Sequence, residues 1–378
     1  MSEATPERGA LIGGGGVIAA AAAGYALLGG TRYTADFTQL WAATRALLSG
    51  ISPYDEAAVL ALVPADVVWP VLPWAYPPWT TLILAPFGAL PLDVAGRLWS
   101  ILSAGAVAIA ALWVANAKTP PGRMGVAAAA TLAFPTLGLV AVGQLVAPVA
   151  VGAALLIRSS HAATTAIGLV LLATKPHLGL PVALAHFGWM ALARNRSAAR
   201  GWVLGAAMGL GLLGVCFALD PHWPGAWRAA IERLRGEDTF RLCDTCASAT
   251  AAAQGPSGRM GVALLIGAAG WAIARRRDLW GDRAAVVSAG LLCGLVFLPY
   301  VRNYDHALAV LPLVAVWSRA DRNRRQILVV AWLLPWLSLG LSREAGTIPY
   351  WLSAIAVAGV WAVSGAGAGA GTQDRPAS

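Results

Sequence analysis

Charge is scarce in this chain. Only 12% of its 378 residues are Asp, Glu, Lys or Arg, where a soluble domain carries roughly a quarter. No hydrophilic block is long enough for a separate soluble domain, so residues 1–378 read as one unit. Histidine numbers five and cysteine four. A zinc cage at Cys243 and Cys246 would need two more ligands, and only His222 is near. There is no Walker loop, no dinucleotide fingerprint and no HExxH pair. These absences argue against nucleotide chemistry on a soluble domain, and no metal or other cofactor is expected. The net charge of +9 is no nucleic-acid footprint either, because the basic residues sit in short loops between apolar runs.

What fills the chain is apolar. Hydrophobic residues make up 58% of it and mean hydropathy is +0.65. That reads as an all-α polytopic integral membrane protein of about ten to twelve transmembrane or re-entrant helices, at about 20 residues per crossing. Three apolar runs, 124–157, 163–193 and 284–318, are too long for one helix and carry a polar or Pro-containing centre. Those centres are Phe134-Pro135 to Gly143-Gln144, Lys175-Pro176-His177, and Pro299 to His306. Each run suits a hairpin with a polar tip, and ionisable residues at that depth are functional candidates by default. Trp69, Trp74, Trp79, Trp189, Trp280 and Trp317 fall at run ends, where an aromatic belt would place them.

Charge placement orients the hairpins. Short loops hold fourteen Lys/Arg, from Lys118 to Arg325, against Asp278, Asp282 and Asp321. The long loops 31–76 and 220–258 are acidic or balanced. The positive-inside rule puts the short loops in the cytoplasm and the long loops and all three tips outside. Residues 9–30 read as a retained first helix, 37–48 as an amphipathic patch on the membrane surface, and 55–63 as a short helix. Leu90-Pro91 splits 79–115. A re-entrant helix followed by one crossing fits, and so does an external placement of Lys118 and Arg123. Further helices are expected at 201–219, around Trp227-Ile231-Leu234, and at 259–274, 326–341 and 349–364. The tail 365–378 has a disordered composition.

Several residues carry possible chemistry. Asp36, just beyond the first helix, can be a general base toward a hydroxyl or the N-cap of the patch at Phe37. Lys175, beside the helix-breaking Pro176, suits a phosphate or carboxylate ligand or a snorkelling side chain. Arg302 can pair with Asp305 or grip an anion bidentately, with Tyr304 and His306 alongside. His177 and His306 can donate to an anion or pack as neutral rings. Gln144 can donate to a sugar hydroxyl. Cys243 and Cys246 suit an extracytoplasmic disulfide, although their spacing is tight. Cys216 and Cys293 read as small apolar residues.

These residues fall in a familiar order. Asp36-Phe37, then Trp41-Ala42-Ala43, then Leu47 through Asp55, resembles the first external loop of glycosyltransferase family 87. Tyr76-Pro77-Pro78, Leu90-Pro91, Gly143-Gln144, Lys175-Pro176 and Pro299 to His306 continue the likeness over residues 36–306. The resemblance implies a membrane-embedded C-type fold and a polyprenyl-phosphate sugar donor, with mannose as the sugar. It also implies inversion at the anomeric carbon, and it maps the usual catalytic aspartate onto Asp36. Lys175 and Arg302 are then expected to hold the donor phosphate as cations that can be removed without loss of folding, with His177, Gln144, Tyr304, Asp305 and His306 around the substrates. Where the family often has polar residues after Gly-Gln, this chain has Leu145-Val146-Ala147. The implied partners are the lipid donor, a glycan or glycolipid acceptor and the bilayer, at the outer face of an inner membrane, with no nucleic acid. A transporter using Lys175 and Asp305 and a non-catalytic assembly protein are the other classes open to this pattern.

Overall fold

In lipid each backbone N–H and C=O must be satisfied within the protein, so an apolar run becomes helix and stops where Pro, Gly or a polar cluster interrupts it. The computed structural model describes residues 35–65, 67, 74–115, 117, 119–236, 246–248, 280–298, 300–341 and 345–364. The helices expected at 9–30 and 259–274, Lys118, Pro299, Cys243 and the tail lie outside the described residues. Among those described, regular structure is helical, with one isolated antiparallel bridge between Cys246 and Arg302.

The chain begins with α1 (Ala35–Leu48) and α2 (Glu56–Leu60), the latter capped by the Asp55 carboxylate, which accepts from the Ala58 N–H at 3.1 Å. The region split by Leu90-Pro91 forms α3 (Trp79–Gly88) and α4 (Leu92–Ala115). The first hairpin is α5 (Pro120–Thr131), α6 (Phe134–Val142) and α7 (Ala147–Arg158), with a 56° bend between α5 and α6 at Phe134-Pro135. The second is α8 (Ala162–Leu172) and α9 (Pro176–Ala193). Then come α10 (Arg196–Leu219) and α11 (Trp223–Gly236). The third hairpin is α12 (Arg283–Phe297), a 3-10 turn (Asn303–Ala309) and α13 (Val310–Trp317). The described chain closes with α14 (Arg322–Leu333), two 3-10 turns (Leu334–Gly340 and Ala345–Thr347) and α15 (Ile348–Val363). Among described residues α4 and α10 are each long and apolar enough to cross a bilayer, and the bent pair α5–α6 is either a third, broken span or a re-entrant loop. The other apolar helices are shorter, because each run is interrupted near its middle.

Two apolar clusters organise the packing. The larger joins α4, α7, α9, α12, α13 and α15. The second is built by the first long loop itself: α1, α3 and Trp74 pack with Leu145, Cys216 and Trp223. This corrects the expectation of a surface-lying α1. Phe37, Leu40, Ala42, Ala43, Thr44 and Ala46 are all buried, and Thr44 spends its hydroxyl on the Leu40 carbonyl at 2.7 Å, so the polar interruption needs no water. The aromatic belt needs correction too. Trp74 and Trp189 are buried at 3% exposure, whereas Trp317 keeps 38%. By contrast α10 turns Val203, Leu210 and Leu219 outward, as a lipid-facing helix does.

Close helix approach depends on small residues. A Cβ at Gly290 of α12 would lie 2.5 Å from the Ala185 Cβ and 2.7 Å from the Pro181 carbonyl of α9. Gly209 on α10 has nothing within 4 Å. Gly290→Ala is therefore expected to overpack the α9–α12 seam and destabilise by about 1–3 kcal/mol, while Gly209→Ala leaves stability unchanged or slightly raised. Thermal unfolding of the two variants in detergent checks this. Equal melting temperatures would refute the close packing of α9 on α12.

Candidate active site

The first half of the site is built on a helix stop. α6 ends at Gly143, which takes the left-handed conformation (φ 73°) open to glycine. The carbonyl this turn leaves without a helical donor accepts from the buried Trp99 indole N–H at 2.9 Å. Gln144 follows, buried, with both ends of its amide hydrogen-bonded. Its Oε1 accepts from the Tyr76 hydroxyl at 2.7 Å and from the Leu145 N–H at 3.2 Å, and its Nε2 donates to Asp36 Oδ2 at 2.7 Å. The Trp99 ring stacks on Phe37, next to Asp36, with centroids 6.0 Å apart. One indole thus steadies both ends of the Gln144–Asp36 bond. Asp36 is half-exposed and lies in the first turn of a helix that already begins at Ala35, so it is not the cap of a helix beginning at Phe37. The helix N-terminus favours its negative charge.

The second half joins the other two tips. Trp79 Nε1 donates to the Ala173 carbonyl at 2.9 Å and Thr80 Oγ1 to the Thr174 carbonyl at 3.3 Å, so the start of α3 clamps the end of α8. The clamp sets Lys175, the residue before α9, into the interior at 1% exposure. Its Nζ meets Asp305 Oδ1 at 2.6 Å and lies 5.0 Å from the Tyr304 ring centre. Asp305 Oδ2 accepts from the Arg302 backbone N–H at 2.9 Å. Two expectations are corrected here. Lys175 is neither an unpaired cation nor a snorkelling one, and the side chain that pairs with Asp305 belongs to Lys175 rather than to Arg302. Asp305 drew the deeper cation because both are fully enclosed, where an unpaired charge is most costly.

Arg302 is half-buried. Its guanidinium lies over the Tyr300 ring at 5.5 Å and hydrogen-bonds with that side chain. The Asp36 charge is felt at Arg302, Tyr76 and Tyr304, so the two halves form one electrostatic site. His177 faces Tyr300 edge-on at 5.8 Å. His306 is buried and donates through Nε2 to the Ala247 carbonyl at 2.7 Å. Ala247 in turn donates its N–H to Val301 at 2.6 Å. A short strap, 246–248, therefore holds the third tip. Cys246 is disulfide-bonded, whereas Cys216 and Cys293 are free thiols.

Residue-type reasoning passed over Tyr76 and Trp99. Tyr76 stood only as part of a Pro-rich marker. Trp99 sits inside an apolar helix, and its one signal is that a buried indole N–H usually finds an acceptor, although those of Trp189 and Trp223 find none among the described residues.

Removing one member of the buried pair strands the other. Lys175→Met is expected to destabilise by about 3–5 kcal/mol and to lower the amount of folded protein in the membrane. Lys175→Met with Asp305→Leu should restore most of the accumulation, because both charges are then gone. Quantifying both proteins after detergent extraction checks this. A single variant that accumulates at wild-type level would overturn the structural role of the pair.

The profile of glycosyltransferase family 87 matches residues 74–299. The match takes in Tyr76, Gln144 and Lys175, while Asp36 and Arg302 lie on either side of it. No curated protein and no solved structure matches the chain. The match spans more than half of the sequence, and the chain belongs to glycosyltransferase family 87.

Proposed function

We propose that this membrane glycosyltransferase moves a hexose, mannose, from a polyprenyl phosphate to a hydroxyl of a glycan or glycolipid acceptor, with inversion, at the outer face of an inner membrane. The observation that carries the reading is a carboxylate and a guanidinium held close enough for the charge of Asp36 to be felt at Arg302. Asp36 and Arg302 are both half-buried. Asp36 accepts the proton of the acceptor hydroxyl. The hydroxyl oxygen forms its bond to the sugar C1 from the face opposite the phosphate. The C1–O bond breaks, and the polyprenyl phosphate leaves with the electron pair. A single displacement of this kind inverts the anomeric centre. Arg302 meets the charge that grows on the leaving phosphate, where a fixed donor helps the transition state more than the ground state. His177 and Tyr304 line the same region, and Lys175 acts through Asp305 by fixing the tip that carries Arg302. The family match supports this reading over the transporter one.

The chemistry is tested by transfer from polyprenyl-phosphate carrying radiolabelled mannose into lipid extract, with the chain reconstituted in vesicles. Wild type should transfer label. Asp36→Asn keeps the shape and should lower the rate by about a hundredfold or more, the usual scale for a general base. Arg302→Met should lower it by roughly a hundredfold, the scale for one oriented donor. Near-normal turnover of Asp36→Asn would remove it as the base.

The orientation has its own check. In a background without the free thiols of Cys216 and Cys293, single cysteines at Asn303, Arg196 and Arg324 are exposed to an impermeant thiol reagent on intact cells. Labelling is expected at Asn303 and not at Arg196 or Arg324. The reverse pattern would put the site in the cytoplasm.

A further inference from the structure

Gln144 is held in one orientation only. The Leu145 N–H can only donate, so the amide atom facing it at 3.2 Å must be the oxygen. The Tyr76 hydroxyl, 2.7 Å from that same oxygen, must then donate to it as well. The amide nitrogen is left to face Asp36 Oδ2 at 2.7 Å, and it too can only donate. Burial raises the Tyr76 hydroxyl well above the usual tyrosine pKa, and the nearby Asp36 charge raises it further, so the hydroxyl keeps its proton. Tyr76 is itself anchored: its carbonyl accepts from the Tyr54 hydroxyl at 2.9 Å, and its ring packs on Trp74 with centroids 5.2 Å apart. The direction of donation is therefore fixed from Tyr76 through Gln144 to one oxygen of Asp36.

We infer that Tyr76 and Gln144 are positioning residues that hold Asp36 Oδ2 as a permanent acceptor and assign proton uptake to the other oxygen, Oδ1. The inference rests on Asp36 being the base. Oδ2 stays an acceptor before and after the proton arrives, so the arrangement need not rearrange during turnover. No described residue hydrogen-bonds Oδ1. The acceptor hydroxyl proton goes to Oδ1 as its oxygen bonds to C1, and it leaves to solvent after the phosphate departs. Gln144 thereby takes a role in addition to the sugar contact expected of it, since the Asp36 bond uses only one of the two amide N–H groups. Its amide has both ends engaged, and its task is to aim the carboxylate.

The test is kinetic, in the same reconstituted transfer from polyprenyl-phosphate carrying radiolabelled mannose. Tyr76→Phe removes one hydroxyl and keeps the ring, the Tyr54 contact and the Trp74 packing. It should lower kcat about fivefold, as the loss of one neutral hydrogen bond does, with KM for the donor unchanged. Gln144→Met should lower kcat about tenfold to a hundredfold, because the lost bond is to a charged group. Gln144→Glu keeps the size and the acceptor for Tyr76 but sets a second carboxylate against Asp36, so it should fall below Gln144→Met. In the Gln144→Met background, Tyr76→Phe should cost nothing more, since its effect passes through the amide. Wild-type kcat in Tyr76→Phe, or losses that simply multiply in the double variant, would overturn the relay. Asp36→Asn, run alongside, separates the two ideas. If it is inactive while Tyr76→Phe is normal, the relay alone fails. If Asp36→Asn is active, the base assignment fails with it.

Discussion

The structure depends on what happens to a backbone carbonyl where a helix breaks in a medium without water. Each polar tip exists because a helix stops, and each stop frees carbonyls that lipid cannot satisfy. Tryptophan answers this repeatedly. Indole N–H groups reach the Leu90, Ala173, Gly143, Ala75 and Ala129 carbonyls, at helix ends and in loops, from Trp41, Trp79, Trp99, Trp227 and Trp332. An indole suits the task because it carries one donor on a large apolar body. Two of these bonds sit directly under the site, at Gly143 beside Gln144 and at Ala173 two residues before Lys175.

On that frame the site is two interlocked pairs, one half-open and one closed. The Asp36–Gln144 pair engages one carboxylate oxygen and leaves the other for the base role proposed for Asp36. The Lys175–Asp305 pair is sealed, and its value is positional. It ties the second tip to the third, and through the Arg302 backbone N–H it fixes where that half-buried cation stands. The strap at 246–248 fastens the same tip from the other side.

Much of this was legible in the residues. The three hairpins were visible because Pro, Gly and charge in the middle of an apolar run have no other cheap arrangement. The membership of Asp36, Gln144, Lys175, Arg302 and Asp305 in one region followed from the same logic. What was hidden was pairing. Asp305 has Arg302 three residues away and Lys175 far off, and proximity along the chain favoured the wrong partner. Only depth of burial decides between them, and depth is a property of the packed bundle. Patch 37–48 misled for a related reason. Its apolar spacing announces one buried face, but Ala42, Ala43 and Ala46 are small enough to be buried on the others as well. Tryptophan at the ends of runs looked like an interfacial belt because belts and helix stops occur at the same places along a sequence.

The separation of Lys175 from Asp305 by 130 residues also sets an order of events at the ribosome. The second hairpin emerges with its ammonium in place long before its counter-ion has been made. A lysine at a hairpin tip lies toward the membrane surface and costs less than the roughly 2.5–3.5 kcal/mol of one at a helix centre, but it has no counter-ion until the third hairpin arrives. Synthesis at about 5–20 residues per second leaves that cost standing for roughly ten seconds. The hydrophobicity of α8 and α9 must outweigh it alone, and the bundle locks only when the third hairpin arrives. The last polar tip to be translated is thus the one that completes insertion of an earlier one.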